Sequence, residues 1–398
     1  MEYKIALIGC GTVGRGLLEI LDRKREFLRD ACGFEVLLVA VSDMLMGSVC
    51  VPEGIDIRRL LDLIGRGKTL NAYDDPRAHR IDIGDPLDMI EKCGADIVAE
   101  LTPTDIRTGE PASSYIRKAL RAGMHVVTTN KGPAALHYRE LADLARTNGV
   151  QFRIEGTVMS GTPVFHLIEN GLAGNGIREI RGILNGTTNF ILSRMEEDGL
   201  EYGEALKRAQ KAGYAEADPT ADVEGFDAAA KAFILSNVVL GGSLTMEDVA
   251  RTGISAITKA HIHAAKAEGA RYKLVCRTRI DDGKIDASVR LEKLLLSDPL
   301  AGIMDAKNAM LIETDLLGTI FIAGPGAGKT ETGAAVLSDL LAIHKCRKAR
   351  PQPHGQPHRP HGGLTGAAQV NKLITKYLNQ IMPFFSWQGD FFGVKRAL

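Results

Sequence analysis

The turn Gly9-Cys10-Gly11-Thr12-Val13-Gly14 constrains this chain more than any other feature. An apolar run from Tyr3 to Ile8 precedes it, and helical periodicity from Arg15 to Arg25 follows. A GxGxxG with a strand before and a helix after lets backbone N–H groups at the helix N-terminus approach a pyrophosphate. A ligand-free glycine turn is the competing reading, and the two correct flanks weigh against it. A second strand, Glu35 to Val41, ends in Ser42-Asp43. An acid there suits the ribose hydroxyls of NAD and repels a 2′-phosphate. Ser42 or Arg15 would be the groups to serve NADP instead. Further buried strands are expected at Asp96 to Leu101, His125 to Thr129 and Val150 to Ile154. Helices are expected at Val51 to Arg66, Glu110 to Ala122 and His137 to Thr147. Thr102 and Lys131 then follow strand carboxyl ends, where doubly wound sheets bind ligands. A plain surface lysine is the alternative for Lys131.

The chain has 398 residues, a length that suits two or three domains. Lysine plus arginine and aspartate plus glutamate both number 49, so no basic surplus points to nucleic acid. No apolar run is long enough to span a bilayer. No signal peptide is expected, because MEYKIALIG runs straight into a strand. The six cysteines are scattered, without CxxC or metal-ligand spacing, which suits a reducing, cytoplasmic compartment.

From Ala209 to Lys231 the chain reads AQKAGYAEADPTADVEGFDAAAK. Glu216, Asp218, Asp222, Glu224 and Asp227 lie between helix breakers, so an acidic loop is expected to feed a helix from Phe226 to Leu240. Asp227 and Lys231 stand four apart, on one helix face. An amine beside carboxylates can hold the ammonium end of an amino acid and move a proton at its other end. A solvated loop with one routine ion pair is the bland reading.

Beyond Arg178 to Leu184, a strand, Asn185-Gly186-Thr187-Thr188-Asn189 opens a helix, which suits a small polar ligand or plain capping. Thr188 and Asp222 join the candidate substrate contacts. The small-residue loop Glu155 to Pro163 would let backbone carbonyls converge with Glu155 on a monovalent cation; a hinge is the chemical alternative. Thr245 to Gly253 and Thr258 to Glu268 read as helices. Tyr272 to Ile280, Lys284 to Leu291 and Met310 to Thr314 read as strands of a second sheet. AGPGAGKT, Ala323 to Thr330, fits a phosphate loop if Ala replaces the first glycine. It follows the strand Thr319 to Ala323 and precedes the helix Glu331 to Ile343, but no acidic magnesium-holding strand partners it. From Cys346 the composition turns basic and rich in proline and histidine, as disordered segments are. Thr365 to Met382 reads as a short helix before an aromatic end.

Together these motifs resemble the homoserine dehydrogenase family. The resemblance rests on Ala209, Gly213-Tyr214, Asp218-Pro219, Asp222, Gly225, Asp227 and Lys231, with every spacing kept. ELTPT, TTNKGP, EGTV, ILNGTTNFIL and GPGAG before AVLSDL support it, in family order. It covers about residues 1–345, and the remaining tail is unlike the regulatory ACT module of some members. It implies an α/β fold: a Rossmann-type doubly wound parallel sheet plus an α+β catalytic and dimerisation domain with a mixed sheet. The expected domains are 1–155, completed by about 324–345, and 156–323, with 346–398 as a partly disordered tail. Gly9, Gly11, Thr12, Val13, Gly14, Thr102 and Lys131 would contact NAD or NADP, with Gly213 and Gly328 approaching by backbone. Glu216 and Asp227 would bind the substrate, Glu216 close to the cofactor as well. Lys231 would be the general acid/base, and Lys131 would polarise the same oxygen. Glu155 and the carbonyls of Val158, Ser160 and Thr162 would hold sodium or potassium. Lys329-Thr330 departs from the family, where smaller or acidic residues are usual. The implied activity is NAD(P)-dependent interconversion of L-homoserine and L-aspartate 4-semialdehyde, in a homodimer, on the route to threonine and methionine. A phosphate-loop ATPase or kinase, a cofactor-binding scaffold without catalysis, and a different dehydrogenase on the same fold are the alternatives.

Overall fold

The computed structural model describes residues 1–75 and 84–349. The helix expected from Thr365 to Met382, the tail histidines and the aromatic end lie outside the described residues.

The first sheet is built from β1 (Glu2–Ile8), β2 (Glu35–Asp43), β3 (Gly47–Cys50), β4 (Ile97–Glu100), β5 (His125–Thr128) and β6 (Phe152–Arg153). Their order is β3-β2-β1-β4-β5-β6. All neighbours are parallel except the β2–β3 hairpin at the edge. Strand β1 shows why its sequence is apolar throughout. Ile5 and Leu7 point into one core with Leu17 and Leu21, while Ala6 and Ile8 point into the other with Val98 and Ile116. A sheet covered on both faces needs both side-chain sets apolar.

Helices α1 (Thr12–Arg23), α2 (Ile57–Gly65), α3 (Pro86–Lys92), α4 (Ala112–Arg121), α5 (Lys131–Leu136) and α6 (Tyr138–Thr147) accompany this sheet. The helix expected from Val51 starts only at Ile57. Val51 to Gly54 closes a turn, and the Asp56 side chain accepts the Arg59 N–H as an N-cap.

The second sheet has the order β12-β11-β7-β9-β10-β8. It comprises β7 (Ile177–Ile183), β8 (Ala250–Arg251), β9 (Ala270–Asp281), β10 (Lys284–Leu295), β11 (Lys307–Thr314) and β12 (Gly318–Pro325). Only β8 runs parallel to its neighbour, so the sheet is mixed. The β9–β10 turn is Asp282-Gly283, both at positive φ (46° and 76°), the backbone that matches strand twist in a two-residue hairpin. Helices α7 (Gly186–Glu197), α8 (Tyr202–Lys211), α9 (Phe226–Ile234) and α10 (Lys259–Ala267) bring apolar residues to the core on this sheet.

Other local expectations also fail. Thr245 to Gly253 is one tight turn, Met246–Asp248, followed by β8. Thr245 and Asp248 cap each other, and Ala250 and Arg251 pair with Ser288 and Val289. The acidic loop contains a helical turn, Thr220–Val223. Helix α9 ends at Ile234, and Leu235–Val239 winds wider as a π-turn. The last helix, α11 (Lys329–Ala349), runs beyond the expected end at Ile343. Its Val336, Leu340 and Ile343 complete the core of the first sheet.

Candidate active site

Helix α9 carries the chemistry. Phe226–Ile234 is alanine-rich, a composition that favours helix, and Gly225 enters it at φ 77°. Alanines also bring α9 close to its neighbours, which buries Lys231 to 8% exposure. Its ammonium donates to the Leu184 carbonyl (2.6 Å) and to Asp227 Oδ2 (2.7 Å). Lys131, the first residue of α5, places its ammonium 3.5 Å from Asp227 Oδ1. One carboxylate thus stands between two lysines. Burial alone would raise the Asp227 pKa. The charges of Lys231 and Lys131, with hydrogen bonds from Lys231 and Asn185, overcome this and hold it well below the usual carboxylate range.

Asn185 joins this cluster to the next carboxylate. Its amide nitrogen donates to Asp222 Oδ1 (2.6 Å) and Asp227 Oδ2 (3.0 Å), while its amide oxygen caps α7 by accepting the Thr188 N–H (2.8 Å). Asp222 is pushed upward, first by burial and then by the neighbouring Asp227 charge, although the Asn185 bond opposes this. Thr188 is fully buried, and its hydroxyl turns to the Asn185 backbone and side-chain oxygens. Its position orients Asn185. Thr187 donates to the Tyr214 carbonyl (2.7 Å), fixing the turn that carries Gly213. Glu216 follows that turn and is exposed.

The carboxyl edge of the first sheet is compact. At Gly9 (φ 91°) a Cβ would lie 2.5 Å from the Leu101 carbonyl oxygen, and at Gly14 a Cβ would lie 2.3 Å from the Gly9 oxygen. Only glycine permits these approaches. They leave the Gly11, Thr12 and Val13 turn at the start of α1, where N–H groups lack intrahelical acceptors and suit a pyrophosphate. Asp43 accepts the Cys10 N–H on one oxygen (2.8 Å) and the Leu45 and Met46 N–H groups on the other, so its carboxylate also braces the glycine turn.

Glu100 is a residue that the sequence reading passed over. It is fully buried at the end of β4. It accepts the backbone N–H and hydroxyl of Thr102 and the Thr128 hydroxyl (2.8 Å). Asn130 reaches back to the Thr102 and Pro103 carbonyls (both 3.3 Å) and caps α5 through Gly132 N–H. This network sets the place from which Lys131 reaches Asp227. Its signal in the sequence was an acid inside the apolar strand DIVAEL.

Glu155 is buried, and its oxygens accept N–H groups from Val164 (2.5 Å), Phe165 (3.2 Å) and His166 (2.7 Å). Burial raises its pKa against those bonds. Ser160 and Met159, between the expected cation-binding carbonyls, both have positive φ (52° and 57°). The loop touches the glycine turn of residues 324–328. The Thr162 hydroxyl faces the Pro325 carbonyl at 3.4 Å, and a Cβ at Gly324 would meet it. The phosphate-loop alternative finds no support here. β12 is an antiparallel edge strand of the second sheet, and Lys329 is paired with Glu19 on α1 at 2.5 Å. A phosphate loop instead joins a strand of a βαβ unit to its helix. A Cβ at Gly328 would meet the Glu331 carboxylate, an acid facing the turn. Among the described residues no helix is long and apolar enough to cross a membrane.

Comparison with known proteins agrees with this geometry. The family model for the homoserine dehydrogenase NAD-binding domain matches residues 9–155, and that for homoserine dehydrogenase matches residues 163–341. The chain is 45% identical over 362 residues to an NAD(+)-dependent homoserine dehydrogenase from Pseudomonas canavaninivorans, covering 89% of this chain and 99% of that one. It is 38% identical to a homoserine dehydrogenase from Methanocaldococcus jannaschii, over 86% of this chain and 99% of that protein. Among solved structures, a putative homoserine dehydrogenase from Archaeoglobus fulgidus superposes with a TM-score of 0.76 at 38% identity, covering 86% and 99% of the two chains. A hyperthermophilic archaeal homoserine dehydrogenase in complex with NADPH gives 0.73 at 30% identity, covering 87% and 98%. With a dinucleotide turn at one sheet edge and two lysines meeting on Asp227 beyond it, this chain belongs to the homoserine dehydrogenase family, NAD(P)-dependent oxidoreductases acting on a CH–OH group.

Proposed function

We propose that Lys231 is the proton-transfer group in the interconversion of L-homoserine and L-aspartate 4-semialdehyde. The bound nicotinamide supplies hydride acceptance or donation at the reacting carbon. In the oxidation direction Lys231 Nζ takes the hydroxyl proton as the C–H hydride leaves; in reduction it returns that proton. Lys131 polarises the same oxygen and shares the Asp227 counter-charge. Glu216, exposed beside the Gly213 turn, with Asp222 and Asp227, grips the substrate ammonium. Thr188 acts through Asn185. The observation that carries this reading is the convergence of Lys231 and Lys131 on Asp227, with Lys131 rooted at the carboxyl end of β5. Replacing Lys231 with alanine should lower turnover by about 10²–10⁴ with the fold intact. Near-normal turnover in a folded variant would refute the assignment.

Gly9, Gly11, Thr12, Val13 and Gly14 hold the pyrophosphate, Thr102 lines the same edge, and Gly213 and Gly328 approach by backbone. Asp43 favours NAD. The nucleotide-binding domain spans 1–155 and is completed by 324–345, since α11 fills the first sheet's core; 156–323 forms the catalytic domain. Glu155 with the Val158, Ser160 and Thr162 carbonyls holds sodium or potassium, supported by the consecutive positive-φ residues that shape this loop. The exposed Phe321 on edge strand β12 and Leu316 and Leu317 beside it support a homodimer through the second sheet. Free thiols at all six cysteines support a cytoplasmic location, and the proposed substrate pair carries the role in threonine and methionine biosynthesis.

A further inference from the structure

Away from Lys231, three titratable side chains converge where the first sheet ends. Glu155 follows β6, His166 lies eleven residues on, and Asp339 belongs to α11. His166 Nε2 is 2.8 Å from Asp339 Oδ1 and 3.7 Å from Glu155 Oε2. One nitrogen or oxygen from each of the three lies within 4.8 Å of the others. Glu155 and Asp339 are buried, and His166 is partly exposed. They line a cavity of about 120 Å³, whose wall also includes Tyr138, Arg153 and Glu169.

We propose that Glu155, His166 and Asp339 bind a divalent transition-metal ion of the zinc class, with water from the cavity completing its shell. Imidazole nitrogen and carboxylate oxygen bind zinc at about 2.0–2.2 Å, so tetrahedral ligand atoms stand about 3.3–3.6 Å apart. The two measured separations, 2.8 and 3.7 Å, bracket that range, and the third pair lies within 4.8 Å. Each ligand is already oriented by a second contact, as metal ligands require. His166 Nδ1 lies 3.0 Å from the Ser338 hydroxyl, Asp339 Oδ2 accepts the Glu155 N–H (2.9 Å), and Glu155 is held by the Val164–His166 amides.

With Nδ1–H donating to Ser338, the hydrogen bond between Nε2 and Asp339 Oδ1 holds a second proton; a metal ion displaces that second proton to solvent and takes the Nε2 lone pair, while the Nδ1 proton stays. The facing charges do not forbid this. Arg153 opposes a cation, but Glu169 pairs with it at 2.5 Å. Tyr138 is neutral at ordinary pH because burial pushes its phenol up. The imidazole marks this site as different in kind from an alkali-ion site, whose ligands are oxygens. The proposal does not depend on the alkali-ion reading, although both use Glu155.

The tail histidines would bind metal adventitiously, so the test uses the full chain with His354→Asn, His358→Asn and His361→Asn as parent. Cobalt(II) is titrated in alkali-free buffer, reading its visible d–d absorption and the protons released. One saturable cobalt per chain with proton release is expected. His166→Asn should weaken binding by about 100-fold or more, and Ser338→Ala by about 10–100-fold, with thermal melting verifying both folds. Absence of saturable absorption in the parent, or parent-like binding by His166→Asn and Ser338→Ala, would overturn the site and leave an adventitious ion only.

Discussion

Asp227 is the residue on which the lysines depend. It keeps 18% side-chain exposure, yet accepts from Lys231 and Asn185 and faces Lys131. Asp227→Asn should therefore destabilise the protein by about 2 kcal/mol at neutral pH, the scale of a charge-assisted bond lost in a partly exposed site. The sign with pH follows from its depressed pKa. The stability it contributes is present above the unfolded carboxylate value of about 3.9 and is lost as pH falls through the folded value. Denaturant unfolding should show wild type and Asp227→Asn converging below about pH 4. Lys273 gives the opposite dependence. It is buried on β9 with its ammonium on the Asn189 amide oxygen (2.9 Å), and burial pulls its pKa down to about 8. Between about pH 8 and 10.4 the unfolded chain retains a proton that the folded chain releases, so stability rises with pH there, by on the order of 3 kcal/mol. Lys273→Met should remove that rise; an unchanged profile would show that Lys273 titrates normally.

At the scale of elements, the close packing of α1 and α11 is unusually exposed to a single methyl group. A Cβ at Gly16 would lie 2.2 Å from the Lys329 carbonyl oxygen. Gly16→Ala should cost about 1–3 kcal/mol, seen as a fall in Tm of several degrees. Most elements were legible because their signals are local: apolar runs for β1, β4 and β5, and the Asn185 turn that opens α7. Thr245 to Gly253 was not, because its Ala250-Arg251 strand exists only through pairing with β10, sequence-distant by nearly forty residues. Of the site, Lys231, Lys131 and Asp227 were readable from spacing and strand ends. The bridging of Asn185 and the buried bracing by Glu100 depend on side chains brought together from separate strands and helices, which no spacing encodes.

For the whole molecule, the two sheets act as complementary halves. The first sheet presents glycine turns and Lys131 at its carboxyl edge, and the second supplies Asn185 and α9 behind it. If β12 and its turn lie at a subunit contact, Phe321→Asp should shift sedimentation from dimer toward monomer, whereas a monomeric wild type would remove that reading. The account as a whole rests on proton transfer at Lys231. Its most direct test is homoserine-dependent formation of reduced nicotinamide, followed by absorbance, for wild type and Lys231→Met at matched, verified cofactor binding. Turnover should fall by about 10²–10⁴ in the variant while its melting curve stays cooperative. Wild-type rates in Lys231→Met would contradict the account.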